Sequence, residues 1–228
     1  MKALIYKEFK LAMHPICYLF ICLFPFMILI PSYPITIGFI YVLCSYPILF
    51  LGANKGQQSN DLLYSVLLPV RKKDIVLARI ITIIAMQVIF FLIMSALWPV
   101  AYSIQKGMTN ADGTPVGIPG LGLTAYVSIM GIVLAGYGIA DLIFLPIYYK
   151  KGKSIVLSTL LSVLVFVLYV MSLTVIFPYL PGFGGYTKFL SGNIGIQFLV
   201  LLGGIVVHIL LHLLAYKISA KRLDKVDF

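Results

Sequence analysis

The stretch NDLLYSVLLPVRKKDIVLARI, residues 60–80, is a charged interruption between two long apolar segments, and further apolar segments follow it along the chain. It contains four basic and two acidic residues, yet its first half is rich in leucine. Asn60 is suited to cap a helix, Asp61 is favourable in the first helical turn, and Pro69 ends the helix after about two turns. The pattern predicts a short surface helix, after which Asp74 begins the next apolar segment.

The composition is that of an integral membrane protein. Hydrophobic residues make up 61% of the chain and charged residues only 11%, against about 45–50% and about 25% in soluble domains. Apolar segments and the short loops between them account for nearly all of the 228 residues. We therefore expect one transmembrane permease domain, residues 1–228.

Six apolar segments predict six membrane-spanning helices. They are residues 15–30, 35–53, 75–102, 123–149, 154–177 and 194–216. The fourth carries small residues at four-residue spacing, which permits close helix packing and favours a position inside the bundle: Gly131, Ala135, Gly136 and Ala140. The expected fold is all-α, with a short cytoplasmic helix between helices 2 and 3.

Residues 1–14 contain three lysines, and Ile5, Phe9, Ala12 and Met13 lie roughly on one helical face. This pattern favours an interfacial helix that leads into the membrane. The alternative is an irregular start to the chain.

The distribution of basic residues predicts the orientation of the chain. Of the 17 Lys and Arg residues, all but Lys106 and Lys188 fall on the side of the two termini. Cytoplasmic loops carry the excess of Lys and Arg, so both termini are expected in the cytoplasm. The net charge of +10 is spread over short loops, which argues against nucleic acid and favours the lipid bilayer as its partner.

Two motifs in this order resemble the membrane subunits of type-2 ABC exporters, the small six-helix bacterial permeases. One is LPVRKKDIV, residues 68–76; the other is LPIYYKKG, residues 145–152, where the fourth span ends. The resemblance implies pairing with a second permease copy or paralogue and with two separate ATPase subunits, which bind ATP and Mg²⁺. No cofactor is expected on this chain.

On physical grounds alone, the leucines of the short helix fit a docking groove and lipid head groups equally well. The resemblance favours docking, in which case this is a coupling helix that contacts the ATPase. The residues expected at that contact are Asp61, Leu62, Leu63, Val66, Leu67, Pro69 and Arg71.

The resemblance implies an exporter that moves an amphipathic or hydrophobic substrate out of a bacterial cell. Peptides, including antimicrobial or toxin peptides, are the first expectation. The loop 178–193 combines glycines with Tyr179, Phe183, Tyr186 and Phe189. The resemblance favours an extracellular gate here, and the alternative is a plain connector.

Motifs for catalysis are missing from the sequence. Gly152-Lys153-Ser154 imitates the end of a phosphate-binding loop, but the required earlier glycine is replaced by Ile147. A Gly-x-Ser-x-Gly nucleophile motif does not occur. We therefore expect a non-catalytic permease subunit.

Asp141, in the fourth span, is the only carboxylate inside a predicted span, and His208 and His212 lie on one face of the sixth. Asp141 is expected to face water or to pair with a Lys, an Arg or hydroxyl groups, since a buried charge is costly. The histidines fit hydrogen bonds across helices or a wet cleft better than a metal site, because a third ligand is missing. The alternative function is a stand-alone proton-coupled carrier, or a polytopic membrane enzyme, centred on these three residues.

Overall fold

A computed structural model describes residues 2–12, 15–29, 70–107, 127–151, 155–173 and 194–225. These ranges are helical and contain no strand, which confirms the all-α prediction for this part of the chain. The elements are α1 (Lys2–Lys7), a π-helical segment (Glu8–Ala12), α2 (Pro15–Leu23), a 3₁₀ segment (Phe24–Leu29), α3 (Lys72–Gly107), α4 (Val127–Lys151), α5 (Ile155–Met171) and α6 (Ile194–Asp224).

Three of the described helices, α3, α4 and α6, are long and apolar enough to cross a membrane. They overlap the predicted third, fourth and sixth spans. Helix α5 overlaps the fifth span and is shorter, with 17 residues. The predicted second span, the predicted coupling helix and the loop 178–193 lie outside the described residues.

The predicted first span, residues 15–30, differs from a single helix. Helix α2 ends at Leu23, and a 3₁₀ segment continues to Leu29. Pro25 in this segment has no amide hydrogen to donate to the carbonyl four residues earlier. The α-helical hydrogen bonding therefore stops at this proline.

Helices α3 and α4 run antiparallel. Gln87 of α3 contacts Asp141 of α4, whereas Ser95, further along α3, reaches back to Met130 near the start of α4. The start of α3 and the end of α4 therefore lie at the same end of the bundle.

Helix α6 runs parallel to α4 and holds it at both ends. Near the start of α6, the side-chain oxygen of Gln197 accepts a hydrogen bond from the amide of Val127, 3.2 Å away. This amide belongs to the first turn of α4, where no intrahelical acceptor exists. At the other end, Arg222 Nη1 donates to the carbonyl oxygen of Pro146 over 2.7 Å.

Between these ends, the two helices approach to backbone contact. A Cβ atom built on Gly131 of α4 would lie 2.5 Å from the carbonyl oxygen of Val200, and one built on Gly204 of α6 would overlap the backbone of Gly131. On another side of α4, a Cβ atom on Gly136 would lie 2.9 Å from the ring of Phe166 in α5. Small residues thus place α4 inside the bundle, as predicted.

One end of this bundle is basic. The start of α3 carries Arg71, Lys72 and Lys73, the end of α4 carries Lys150 and Lys151, and the last turns of α6 carry four more cations. The helix directions described above bring these groups to the same end of the molecule. The charge asymmetry of the sequence is therefore an asymmetry of the folded structure as well.

The N-terminal segment packs against the start of α3 through charged groups. Glu8 Oε2 lies 2.7 Å from Arg79 Nε, and both side chains are only 2% exposed. Lys7 is also buried, 4.0 Å from the other carboxylate oxygen of Glu8. The apolar face predicted for this segment is incomplete, because Ile5 and Phe9 are only half-buried. Its most buried positions are Leu4, Lys7 and Glu8, since the ion pair turns this face towards α3.

Replacing Glu8 with Gln is expected to loosen the N-terminal segment from α3. Removing one partner of a buried ion pair costs about 3 kcal/mol, because the other charge keeps its desolvation penalty. Hydrogen exchange of residues 2–12 should speed up markedly while α4 and α6 stay protected. Lys2→Gln is the control, since Lys2 is exposed and its replacement should leave exchange unchanged. Equal exchange in the Glu8 variant and the wild type would contradict the anchoring role of this pair.

Candidate functional site: a polar cluster between three helices

The most buried carboxylate of the spanning helices is the centre of a polar cluster. Asp141 lies in the middle of α4 and has no solvent exposure. Its Oδ2 atom accepts a hydrogen bond from Gln87 Nε2 of α3 over 2.7 Å. The same oxygen lies 2.8 Å from His212 Nε2 of α6. One carboxylate oxygen thus joins three helices.

The hydrogen bonds of His212 show where its protons must lie. Its Nδ1 atom is 2.8 Å from the backbone carbonyl oxygen of His208. A carbonyl only accepts, so Nδ1 carries a hydrogen. Nε2 faces Asp141 Oδ2 at hydrogen-bond distance, which requires one further proton between these two atoms. Either the imidazolium donates to a carboxylate, or a carboxylic acid donates to the neutral ring.

Both arrangements leave the Asp141–His212 pair with no net charge. This matters because an isolated charge is expensive inside a membrane. The amide of Gln87 supports the same oxygen in either arrangement, since its N–H group donates to a carboxylate or to a carboxylic acid oxygen. The cluster therefore holds one exchangeable proton at low electrostatic cost and needs no Lys or Arg partner.

His208 extends the cluster by one helical turn. Its Nδ1 atom donates to the carbonyl oxygen of Leu134 over 2.9 Å, and its ring centre lies 4.2 Å from that of His212. Among the described residues, its buried Nε2 atom has no hydrogen-bond partner. With the hydrogen on Nδ1, Nε2 is left with a lone pair that can accept a proton or a hydrogen bond.

A glycine makes this geometry possible. A Cβ atom on Gly138 of α4 would lie 3.0 Å from the Cδ1 atom of Leu211 and 3.3 Å from the Cα atom of His208. Without a side chain at this position, α6 comes close enough for His208 to reach the backbone of α4. The histidine contacts therefore depend on the same close packing as Gly131 and Gly204.

The structure brings together the three polar residues singled out in the sequence. It gives Asp141 an imidazole and an amide as partners, where water, a Lys, an Arg or hydroxyl groups were expected. The histidines make the hydrogen bonds across helices that their spacing suggests. Gln87 was missed, although a glutamine within the apolar run IITIIAMQVIFF, residues 80–91, is itself a signal.

The residues predicted to contact an ATPase lie outside the described part of the chain, with one exception. Arg71 stands just before α3, its side chain is exposed, and its carbonyl oxygen accepts a hydrogen bond of 2.8 Å from the amide of Asp74. Asp61, Leu62, Leu63, Val66, Leu67 and Pro69 are not described, nor are the gate residues Tyr179, Phe183, Tyr186 and Phe189.

Comparison with known families shows which family this sequence belongs to. Residues 3–223 match the family model described as ABC-2 family transporter protein. The chain belongs to this family. No curated protein and no solved structure matches it significantly. The match covers the N-terminal segment, all of α3, α4 and α5, and nearly all of α6.

Membership of the ABC-2 family confirms the resemblance to type-2 ABC exporter permeases. It places the chain in the membrane, in agreement with the three membrane-length helices. Permeases of this family are in general the non-catalytic membrane subunits of ABC transporters. The polar cluster of this ABC-2 protein therefore lies within a transport subunit, where buried polar groups mark helix contacts or transport pathways.

Proposed function

We propose that this ABC-2 protein is the membrane subunit of an ATP-driven exporter. Two copies, or one copy and a paralogue, form the transport path, and two separate ATPase subunits bind ATP and Mg²⁺. Both termini lie in the cytoplasm, and six helices cross the membrane. The observation that carries this proposal is the family match over residues 3–223.

The basic end of the bundle supports the proposed orientation. Lys and Arg are enriched in cytoplasmic segments, and this end collects the start of α3, the end of α4 and the end of α6. The predicted coupling helix, residues 61–68, comes shortly before α3 in the sequence. An ATPase in the cytoplasm would therefore reach it, and exposed Arg71 lies between that helix and α3.

The contacts between α4 and α6 suggest how movement would pass through the subunit. These helices touch along their length, at Gln197, Gly204, His212 and Arg222 of α6. Such a pair moves as one rigid body rather than as two independent helices. ATP-driven closure of the ATPases would displace the coupling helix and α3, and Gln87 would transmit this shift to Asp141.

We propose an amphipathic or hydrophobic substrate, with peptides, including antimicrobial or toxin peptides, as the first class to test. The aromatic residues of the loop 178–193 are proposed to form the extracellular gate. The apolar composition of the chain supports a substrate with extensive hydrophobic surface.

The polar cluster favours a second candidate function, a proton-coupled carrier that works without an ATPase. Asp141 and His212 share one proton in a buried site, and His208 offers a second acceptor. A carrier of this kind would move protons together with substrate in vesicles that contain only this chain. Substrate-dependent proton uptake in the absence of ATP and ATPase would favour the carrier, and its absence would favour the ABC exporter.

Leu63→Asp and Leu67→Asp are expected to abolish co-purification of the ATPase with this chain. A charged carboxylate in an apolar groove leaves a buried charge without a partner, and such losses commonly exceed tenfold in affinity. Co-purification from the native membrane is the measurement, with insertion checked in parallel. Ser65→Asp introduces the same charge on the opposite face of the predicted helix and should leave the complex intact. Undiminished ATPase recovery in both leucine variants would refute the proposed docking site.

A further inference from the structure

The outward face of α6 changes abruptly from leucine to lysine. Over most of its length this face is apolar and exposed, as at Val206, Leu210 and Leu213, which are more than half exposed. Lys217, Lys221 and Lys225 follow at four-residue spacing and are also exposed. Successive positions three or four residues apart share one helix face. We call the three lysines the lysine face.

The lysine face borders a shallow groove at the basic end of the molecule. The groove has a volume of about 360 Å³ and is lined by Lys217, Ile218, Lys221, Arg222 and Lys225. Its chemistry is therefore a set of cations around an apolar floor. Asp224 is exposed on the same face and offsets one of the positive charges.

We propose that the lysine face of α6 binds the head group of an anionic phospholipid. The occupant must be apolar beside Leu213 and anionic beside Lys217, and these residues are only about 6 Å apart along the helix axis. A phospholipid has this arrangement, with acyl chains directly below a charged phosphate. An acidic protein surface would match the lysines but not the exposed leucines that continue the same face.

Charge and chain geometry support the same occupant. Lysine side chains at helix ends extend towards the membrane interface, where their ammonium groups meet lipid phosphates. Each lysine near an anionic membrane surface strengthens binding roughly fivefold. Arg222 is held by the carbonyl of Pro146, so the bound head group would lie next to the contact that closes the α4–α6 pair. This proposal does not depend on an ATPase.

The test uses the purified full-length chain and native mass spectrometry with two lipids of identical acyl chains, phosphatidylglycerol and phosphatidylcholine. At an ionic strength of about 0.15 M, distant charges are screened. The wild type should retain phosphatidylglycerol roughly 25-fold better than phosphatidylcholine, as expected for two lysines, since Asp224 offsets the third. The triple variant Lys217→Gln, Lys221→Gln, Lys225→Gln should bind it roughly a hundredfold more weakly. The matched control Lys2→Gln, Lys73→Gln, Lys150→Gln removes three exposed lysines elsewhere and should retain it.

Several results would overturn the proposal. They are equal retention of the two lipids by the wild type, undiminished phosphatidylglycerol binding in the triple variant, and an equal loss in the control. Full displacement of the lipid by inorganic phosphate at the same concentration would identify a phosphate site instead. Loss of a protein partner with lipid retention unchanged would identify a protein-binding face. If the triple variant fails to fold, Lys221→Gln alone should still weaken lipid binding roughly fivefold, and the triple Lys→Arg variant should retain it.

Discussion

Gly204→Leu is expected to break the packing of α4 against α6 and to prevent stable folding of the protein. Even a Cβ atom at this position overlaps the backbone of Gly131, and backbone cannot move aside as a flexible side chain can. Overpacking commonly costs 1–3 kcal/mol, and we expect at least about 3 kcal/mol here, because the helices must separate. The measurement is the thermal unfolding midpoint of the detergent-solubilised protein.

The neighbouring glycine is a matched control. A Cβ atom on Gly203 would meet nothing within 4 Å, because this residue faces outward from α6. Gly203→Leu adds the same side chain to the same helix and should change stability by less than about 0.5 kcal/mol. Equal thermal stability of the two variants would show that the close approach of α4 and α6 does not support the fold. The helix contacts at Asp141 would then need another explanation.

His212→Leu is expected to destabilise the protein by about 3 kcal/mol. The change removes the ring that shares a proton with Asp141, and breaking a buried charge pair from one side is strongly unfavourable. Asp141→Asn should cost less, under about 1.5 kcal/mol. Gln87 and His212 both contact Oδ2 of Asp141, so the asparagine nitrogen must take that position. It can then donate one hydrogen to His212 Nε2 and the other to Gln87 Oε1, once the glutamine amide has turned over. Chemical unfolding of the purified protein measures both effects.

A double variant distinguishes the stability lost by leaving one charge unpaired from the stability lost by changing the packing. In Asp141→Leu with His212→Leu, neither charged partner remains, and only the amide of Gln87 loses an acceptor. We expect a loss of about 1 kcal/mol, smaller than that of His212→Leu alone. Asp141→Leu is measured alone as well, and a loss in the double variant equal to the sum of the losses in Asp141→Leu and His212→Leu would contradict a proton-sharing pair. The asparagine variant also tests function, because it keeps the hydrogen bonds but holds no exchangeable acid.

The sequence predicted much of the polar cluster but not its geometry. Asp141, His208 and His212 are conspicuous in apolar surroundings, and four-residue spacing places the two histidines on one face. Gln87 was missed because it is not ionisable, although any polar side chain inside a span needs a hydrogen-bond partner. Glu8 was missed for a different reason. It lies among lysines in a segment that is not itself a span, and only the fold brings it to Arg79.

Composition and the order of apolar segments by themselves determined that this is a helical membrane protein, and two short motifs indicated its family. These properties are local, because a helix that crosses the bilayer must be apolar along its own length. Each span can therefore be recognised from its own residues. Tertiary structure alone decided that α4 and α6 pack side by side from end to end. It also decided that one oxygen of Asp141 joins α3 and α6. The physical reason is that the pairing of helices depends on close packing between residues far apart in the chain. The sequence pattern of a single span does not show which helix will be its neighbour.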